Sequence, residues 1–568
     1  MVLDIMTGFE AVFDAENGVP GAEGCKKVCG VLKVMALIWI VFLAVAGHSQ
    51  ADTIVRQTRL GMVKGILIEA YGGLVEVYKK IPFAEPPLGN LRFKEPVPRS
   101  PWEGTYDTTN GTSVCHQVLR ATFFKSAENF TEDCLHLGIW TPSEAANSPV
   151  IVWIHGGGFA RGSGFGETSD GLVLAATRGL VFVAINYRLG ILGFLNANSP
   201  HAPGNQGLLD QHLALQWVQD NIRFFGGDPE SVTIIGNSAG AMSVHAHILS
   251  PMSRGLFKRA VMLSGSHNNI DFMESVHEST IKGNDVAKLL GCSQYGRDLV
   301  SHPDEVIECL RSKTADELAL AVSEVTAPKS FSFFPTFHDQ FLPRVPAVAI
   351  DRGFFQDIDV LVGVTSDECS VFVVIPPESV LFRESMDGID ENTLERALRE
   401  KVSLWTRFDI QVMTEEYLSK VPAGDKLALT KAYLNSVSDR LFNCPVQFFA
   451  EKHAARGNAV YSFIYSHRSK KDGFPSWMGV PHHTMTPYLF SQPWKAKKNF
   501  TEEDRTVSDN FVTMIESFVR NGKPVLPNGR AWPKFTKETP ISIMFEYNNF
   551  TSVRGYRNDE CEIWRKVL

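Results

Sequence analysis

The sequence has no long run of Lys and Arg, and its formal net charge is −8 with a pI near 6.1. It therefore offers nothing that would track the phosphates of a nucleic acid. Internal repeats, low-complexity tracts and Gly/Ser- or Pro-rich linkers are absent beyond the first 51 residues. That excludes a chain of linked modules and leaves one large domain over 52–568, preceded by a leader over 1–51. Long apolar runs are missing too. Val34 to Ala46 spans 13 residues, short of the roughly 20 needed to cross a bilayer as a helix. Lys26, Lys27 and Lys33 precede it, small and polar residues from Gly47 to Asp52 follow it, and Ser49-x-Ala51 offers a cleavage site. This is the pattern of a secretory signal peptide, with a membrane signal anchor as the alternative. Residues 1–30 are long and acidic for such a leader, so Met1 and Met35 both stand as starts. The ending Cys561 to Leu568 carries no hydrophobic tail for a lipid anchor, which favours soluble secretion.

Cysteine is scarce. Of nine, Cys25 and Cys29 fall in the leader, leaving Cys115, Cys134, Cys292, Cys309, Cys369, Cys444 and Cys561. In a secreted chain these read as bridges with one thiol left over, but spacing selects no pairing. Asn-x-Ser/Thr sequons at Asn110, Asn129, Asn499 and Asn549 fit the same route.

What is present is ordinary globular material, 44% hydrophobic and 21% charged. Short β-branched runs recur at Val150 to Ile154, Leu180 to Ile185, Val232 to Ile235, Val261 to Leu263 and Val360 to Val364, the signature of strands buried on both faces. Helical patterns lie between them. One runs from Gln206 to Asn221 and ends at the breaker Phe225-Gly226-Gly227-Asp228-Pro229. Strand alternating with helix implies an α/β fold with a mostly parallel central sheet and helices on both faces. Such sheets put their sites at the carboxyl ends of strands.

One of those ends carries Gly236-Asn237-Ser238-Ala239-Gly240, between a strand and a helix-forming run. This is the pattern of a nucleophile elbow, in which flanking glycines admit a turn so sharp that the serine Oγ stands clear of the sheet. Backbone N–H groups for an oxyanion come from Ala239 and from His155-Gly156-Gly157-Gly158-Phe159 after the strand ending at Ile154. His155 has no second ligand at metal spacing and reads as structural; no metal or cofactor is expected. In an elbow fold the acid and then the base follow the serine in the chain. His453, His467, His482 and His483 are the late candidates, the last two in a Gly/Pro-containing loop. The strand at Val360 to Val364 leads into Asp367 and Glu368, either of which serves as the acid.

These residues resemble the type-B carboxylesterase and cholinesterase family along nearly the whole chain after the leader. The resemblance rests on Pro82-Phe83-Ala84 with Pro86-Pro87 and Arg92-Phe93, on Glu132-Asp133-Cys134-Leu135, and on the glycine run ending Gly158-Phe159. It continues through Asn186-Tyr187-Arg188, Gly204 to Gln211, the Phe225 to Pro229 breaker and the elbow. It implies the α/β-hydrolase fold, a serine carboxylic ester hydrolase working through an acyl-enzyme, and a triad of Ser238, Glu368 and His482. It also implies the oxyanion trio Gly157, Gly158 and Ala239, and the bridges Cys115 to Cys134, Cys292 to Cys309 and Cys444 to Cys561. The third bridge resembles the cholinesterase branch. Cys369 is left as a small buried thiol.

The departures are informative. Cholinesterases carry Glu before the serine, where this chain has Asn237. They place a Trp shortly before the Glu-Asp-Cys-Leu segment for contact with a cation, where this chain has Thr122-Phe123-Phe124-Lys125. Acetylcholine is thus not the expected substrate. Cys369 stands in place of a glycine, and Thr484-Met485 in place of an acidic stretch. Phe331-Ser332-Phe333-Phe334 and Phe372 fit an acyl pocket or core packing equally. The rival from another class is a catalytically weak or inactive cholinesterase-like adhesion or binding protein, since the family includes such members, although all three triad positions are occupied here. The expected partner is a small-molecule ester.

Overall fold

The computed structural model describes residues 52–111, 113–117, 130–166, 169–326, 333–374, 381, 383–405 and 410–566. The leader, Thr122 to Lys125, Asn129 and Phe331-Ser332 lie outside the described residues.

Among the described residues, seven strands run parallel, in the spatial order Val181–Ile185, Ser148–Ile154, Gly227–Asn237, Arg259–Leu263, Asp359–Thr365, Val460–Tyr465 and Ile541–Glu546. All five strands expected from the sequence fall in this block. Their continuous apolar runs are explained by alternation between two cores. Val150, Val152 and Ile154 join Leu208, Leu215, Val218, Ala241, Val244 and Ile248 on one face, whereas Ile151 and Trp153 join Leu174, Phe511, Ile515 and Phe518 on the other. Both pleat faces are covered, so no polar alternation survives in the sequence. The first face is packed by helices Gln206–Asn221 and Ala239–Leu249. Helix Glu502–Asn521 lies on the second, started by a capping box between Thr501 and Asp504 and stopped by the left-handed Gly522.

The sheet is α/β as expected, but its parallel character holds only for this centre. Thr53–Gln57, Met62–Ala70, Gly73–Pro82 and His136–Pro142 form an antiparallel margin on one side, and Asn549–Arg554 pairs antiparallel on the other. Connection length is the reason. Met62–Ala70 and Gly73–Pro82 are separated by Tyr71 and Gly72 alone, at φ 53° and 79°, the left-handed two-residue turn of a hairpin. A parallel pair needs a dozen or more connecting residues.

Disulfides join Cys115 to Cys134, Cys292 to Cys309 and Cys444 to Cys561, and Cys369 is a buried free thiol. The last bridge ties helix Asn558–Trp564 to the start of helix Cys444–Ala455 across 117 residues. In the chain-entropy account a cross-link over a loop this long stabilises by roughly 4–5 kcal/mol, through the unfolded chain. Thr53–Leu568 makes one compact unit. No helix among the described residues is long and apolar enough to cross a membrane.

Candidate active site

Ser238 caps helix Ala239–Leu249 at φ 58°, ψ −124°, a sparsely populated backbone conformation that costs on the order of 1–3 kcal/mol unless its surroundings impose it. They do. Its N–H donates to the Leu263 carbonyl at 2.8 Å, and its carbonyl accepts from Met242 N at 2.9 Å. The flanking glycines are there because main chains touch. A Cβ on Gly236 would sit 2.2 Å from the Gly240 carbonyl, and one on Gly240 would sit 2.1 Å from the Ile154 carbonyl oxygen. Gly265, which the sequence pattern did not single out, seals the other side, since its Cβ would fall 2.4 Å from the Ser238 carbonyl oxygen.

Two adjacent carboxylates leave the end of strand Asp359–Thr365, and they divide the work. Glu368, fully buried, presents Oε2 to His482 Nδ1 at 2.5 Å while Oε1 accepts from Thr365 N at 2.8 Å. The His482 N–H also donates to the Glu368 carbonyl at 3.1 Å, so main chain and side chain fix the same pair. Asp367 instead ties down the loop that carries the histidine. Its Oδ2 accepts from Val480 N at 2.9 Å and from Ser366 Oγ at 2.6 Å, and its own N–H donates to the Val480 carbonyl.

The other late histidines are engaged elsewhere. His453 Nε2 bonds the Ile358 carbonyl at 2.8 Å, His467 Nε2 bonds Asp504 at 2.7 Å, and His483 Nδ1 bonds Asn237 Oδ1 at 2.7 Å. The His482 ring packs against Phe442, with centroids 4.5 Å apart, and Phe372, at 5.4 Å. Its Nε2 is buried and has no hydrogen-bond partner among the described residues. The structure thus brings Glu368 and His482 into direct contact, and Ser238 Oγ is not hydrogen-bonded to the imidazole.

The glycine run lies against the elbow. A Cβ on Gly156 would come within 2.4 Å of the Asn237 carbonyl oxygen and 3.1 Å of Ser238 Cβ. Gly157 and Gly158 have φ of 117° and 63°, backbone angles that L side chains rarely adopt. The N–H groups of Gly157, Gly158 and Ala239 have no acceptor among the described residues. For Ala239 that follows from its place in the first helical turn. The residues of Asn186-Tyr187-Arg188 are supports for this loop. Asn186 holds the Ser113 carbonyl and Gly164 N, Tyr187 donates to the His155 carbonyl at 2.9 Å and stacks on its ring, and Arg188 pairs with buried Asp210 at 2.7 Å. Burial pushes the His155 imidazole down to about 4, leaving it neutral.

Of the residues read as an acyl pocket or core, Phe333 is fully buried beneath Lys282, Phe334 is buried against Phe272, and Phe372 lies on His482. Asn237 is fully buried as well. Neither Phe442, which stands in a π-helical turn over Asp439–Asn443, nor the contact between Asn237 and His483 is signalled by any sequence motif. The only local hint of either is the doublet His482-His483 itself.

The parallel sheet with a strained serine between strand and helix defines an α/β hydrolase. The profile of the Carboxylesterase family matches residues 52–564, and the chain belongs to that family. It is 34% identical over 528 residues to an acetylcholinesterase of Bungarus fasciatus, covering 90% of this chain and 86% of that protein. It is 33% identical over 549 residues to a cholinesterase of Mus musculus, covering 93% and 89%.

Proposed function

We propose that the chain, acting as a single domain over 52–568, hydrolyses carboxylic esters through an acyl-enzyme on Ser238. The observation that carries this reading is the pair of buried Glu368 and His482, in which Nδ1 is engaged by the carboxylate and Nε2, without a hydrogen-bond partner among the described residues, is left to take a proton. His482 removes the proton of Ser238 as Oγ attacks the ester carbonyl, and Glu368 holds the imidazole in the Nδ1–H tautomer and stabilises the imidazolium. The N–H groups of Gly157, Gly158 and Ala239 receive the oxyanion. The alcohol leaves with the proton from Nε2, and water activated by the same nitrogen then releases the acid. No step needs a metal or cofactor. An absent hydrogen bond between serine and histidine is common before substrate binds.

The substrate is a neutral ester rather than a choline ester. The position before the nucleophile is an uncharged, fully buried Asn237, and no Trp occurs between Cys115 and Cys134 to face a cation. A fluorophosphonate probe is expected to label the Ser238 peptide stoichiometrically and stop turnover of a short-chain aryl ester, with kcat/KM for that ester above that for acetylthiocholine. Labelling elsewhere, or none with the folded protein, overturns the triad; preference for the choline ester overturns the substrate assignment.

Secretion is part of the same proposal. Three disulfides support it, as do the exposed Asn110, Asn499 and Asn549. Protein recovered from culture medium is expected to lose mass on treatment with peptide N-glycosidase. Unmodified protein retained inside the cell contradicts this.

A further inference from the structure

We propose that Asn237 and His483 form a positioning bridge that holds the loop of the base on the nucleophile elbow and so sets where His482 Nε2 points; the inference rests on the esterase reading. Asn237 precedes Ser238 and His483 follows His482, so one hydrogen bond, His483 Nδ1 to Asn237 Oδ1 at 2.7 Å, joins the immediate neighbours of nucleophile and base across 246 residues. Asn237 is fixed from behind. Asn237 Nδ2 donates to the Leu263 carbonyl at 3.1 Å, the same carbonyl that accepts from Ser238 N. This orients the amide with its oxygen toward the histidine, which makes Nδ1–H the donor. Thr486 Oγ1 lies 3.3 Å from the same nitrogen.

The backbone argues in the same direction. His483 has φ 75°, in the left-handed region that non-glycine residues adopt uncommonly, although His is among those that do so more often. A His at that position is disfavoured relative to Gly, and the bond to Asn237 is one of the contacts that compensate, beside those to Thr486. Burial and the adjacent His482 lower the His483 imidazole to about 4, so it stays neutral and keeps its single Nδ1–H donor near neutral pH. Asn237 is fully buried, so it acts on the reaction only through this contact and the elbow.

The test compares Asn237→Ala, His483→Gly, the double variant and His483→Asn. Glycine is at ease at φ 75°, so His483→Gly removes the bridge without adding backbone strain. Asn also tolerates that region and offers Nδ2–H near the place of the histidine Nδ1–H, so it should restore the bond. Small misplacement of a catalytic group costs up to about 10²-fold. Each single variant is therefore expected to lower kcat by about 10- to 100-fold with KM within about threefold. The double variant should be no worse than either single, because the two act as one unit, and His483→Asn should recover most of the loss. An independent readout is the Nδ1–H proton resonance of His482 in ¹⁵N-histidine protein. It should be sharp in the wild type and in Ser238→Ala, and broadened in Asn237→Ala and His483→Gly. Single variants within twofold of wild-type kcat, or additive losses in the double, overturn the bridge while leaving the esterase intact. If the wild type hydrolyses no ester, the esterase reading fails, and the resonance alone decides: unchanged in both variants, it overturns the bridge too.

Discussion

Replacing Glu368 with Gln is expected to lower kcat for ester hydrolysis about 10⁴-fold and to move KM little. Gln is nearly isosteric, and its carbonyl can still accept from Thr365 N, the bond that Oε1 makes at 2.8 Å. That choice leaves the NH₂ group facing His482 Nδ1, now 2.5 Å from Oε2. Two donors cannot face each other, so the imidazole turns to the tautomer with its proton on Nε2 and loses the lone pair that must receive the Ser238 proton. The oxyanion donors and the binding surface are untouched, which is why KM holds. Asp367→Asn is the internal comparison. Its carboxylate serves Val480 N and Ser366 Oγ rather than the imidazole, so the change should cost about 1.5–3 kcal/mol of stability and far less of kcat. Steady-state kinetics with one aryl ester, beside a denaturant titration of each variant, separates the two. Equal losses of kcat would mean that the histidine is oriented by the loop rather than by Glu368.

That comparison also marks where the sequence stops being informative. The elbow and the glycine run were legible because their chemistry is local: Gly236 and Gly240 bracket Ser238 within five residues, and the close contacts that demand them come from the adjoining strand and helix. The five strands were legible for a similar reason, since a short, continuous β-branched run between breakers fits little except a strand covered on both faces. Asp367 and Glu368 were not separable by local signals, because both follow the same strand, and what distinguishes them is which part of one distant loop each meets, the Val480 main chain for Asp367 and the His482 imidazole for Glu368. The resemblance to the family selected Glu368, and the geometry places that carboxylate against His482. Asn237 read as a missing charge in a ligand site, and no local signal showed that its side chain is buried and turned to His483. Phe442 left no signal because a π-helical turn has no hydrophobic period of its own. The antiparallel margins were missed although Tyr71-Gly72 between two apolar runs is a hairpin turn, a case of global pattern outweighing a local clue.

Acidification from pH 7 to 5 is expected to destabilise the protein by several kcal/mol, well before carboxylates begin to protonate. Among the described residues, eight histidines are held below their ordinary range. The first cause in every case is burial, which disfavours the charged ring. His155 and His453 are lowered to about 4, and His247 and His267 to about 3. Unfolded histidine titrates near 6.5. Between that value and about 4 the unfolded chain takes up protons that the folded core excludes. Stability therefore rises with pH in this window, and falls as the pH falls through it. Each such ring contributes up to about 1.4 kcal/mol per pH unit. Asp339, Asp439 and Asp509, whose carboxyls burial pushes up, act in the opposite sense near the acid end of the range, but they are fewer than the imidazoles. Because the largest cause is desolvation rather than repulsion between exposed charges, added salt, which screens only the latter, should not restore the loss. Urea midpoints measured at pH 7.5, 6.5, 5.5 and 5.0, at two ionic strengths, give the test. A flat profile down to pH 5 with loss only below 4 would assign acid sensitivity to carboxylates such as Asp504, held low by His467 and its backbone and hydroxyl donors, and would mean that the buried imidazoles accept protons in place.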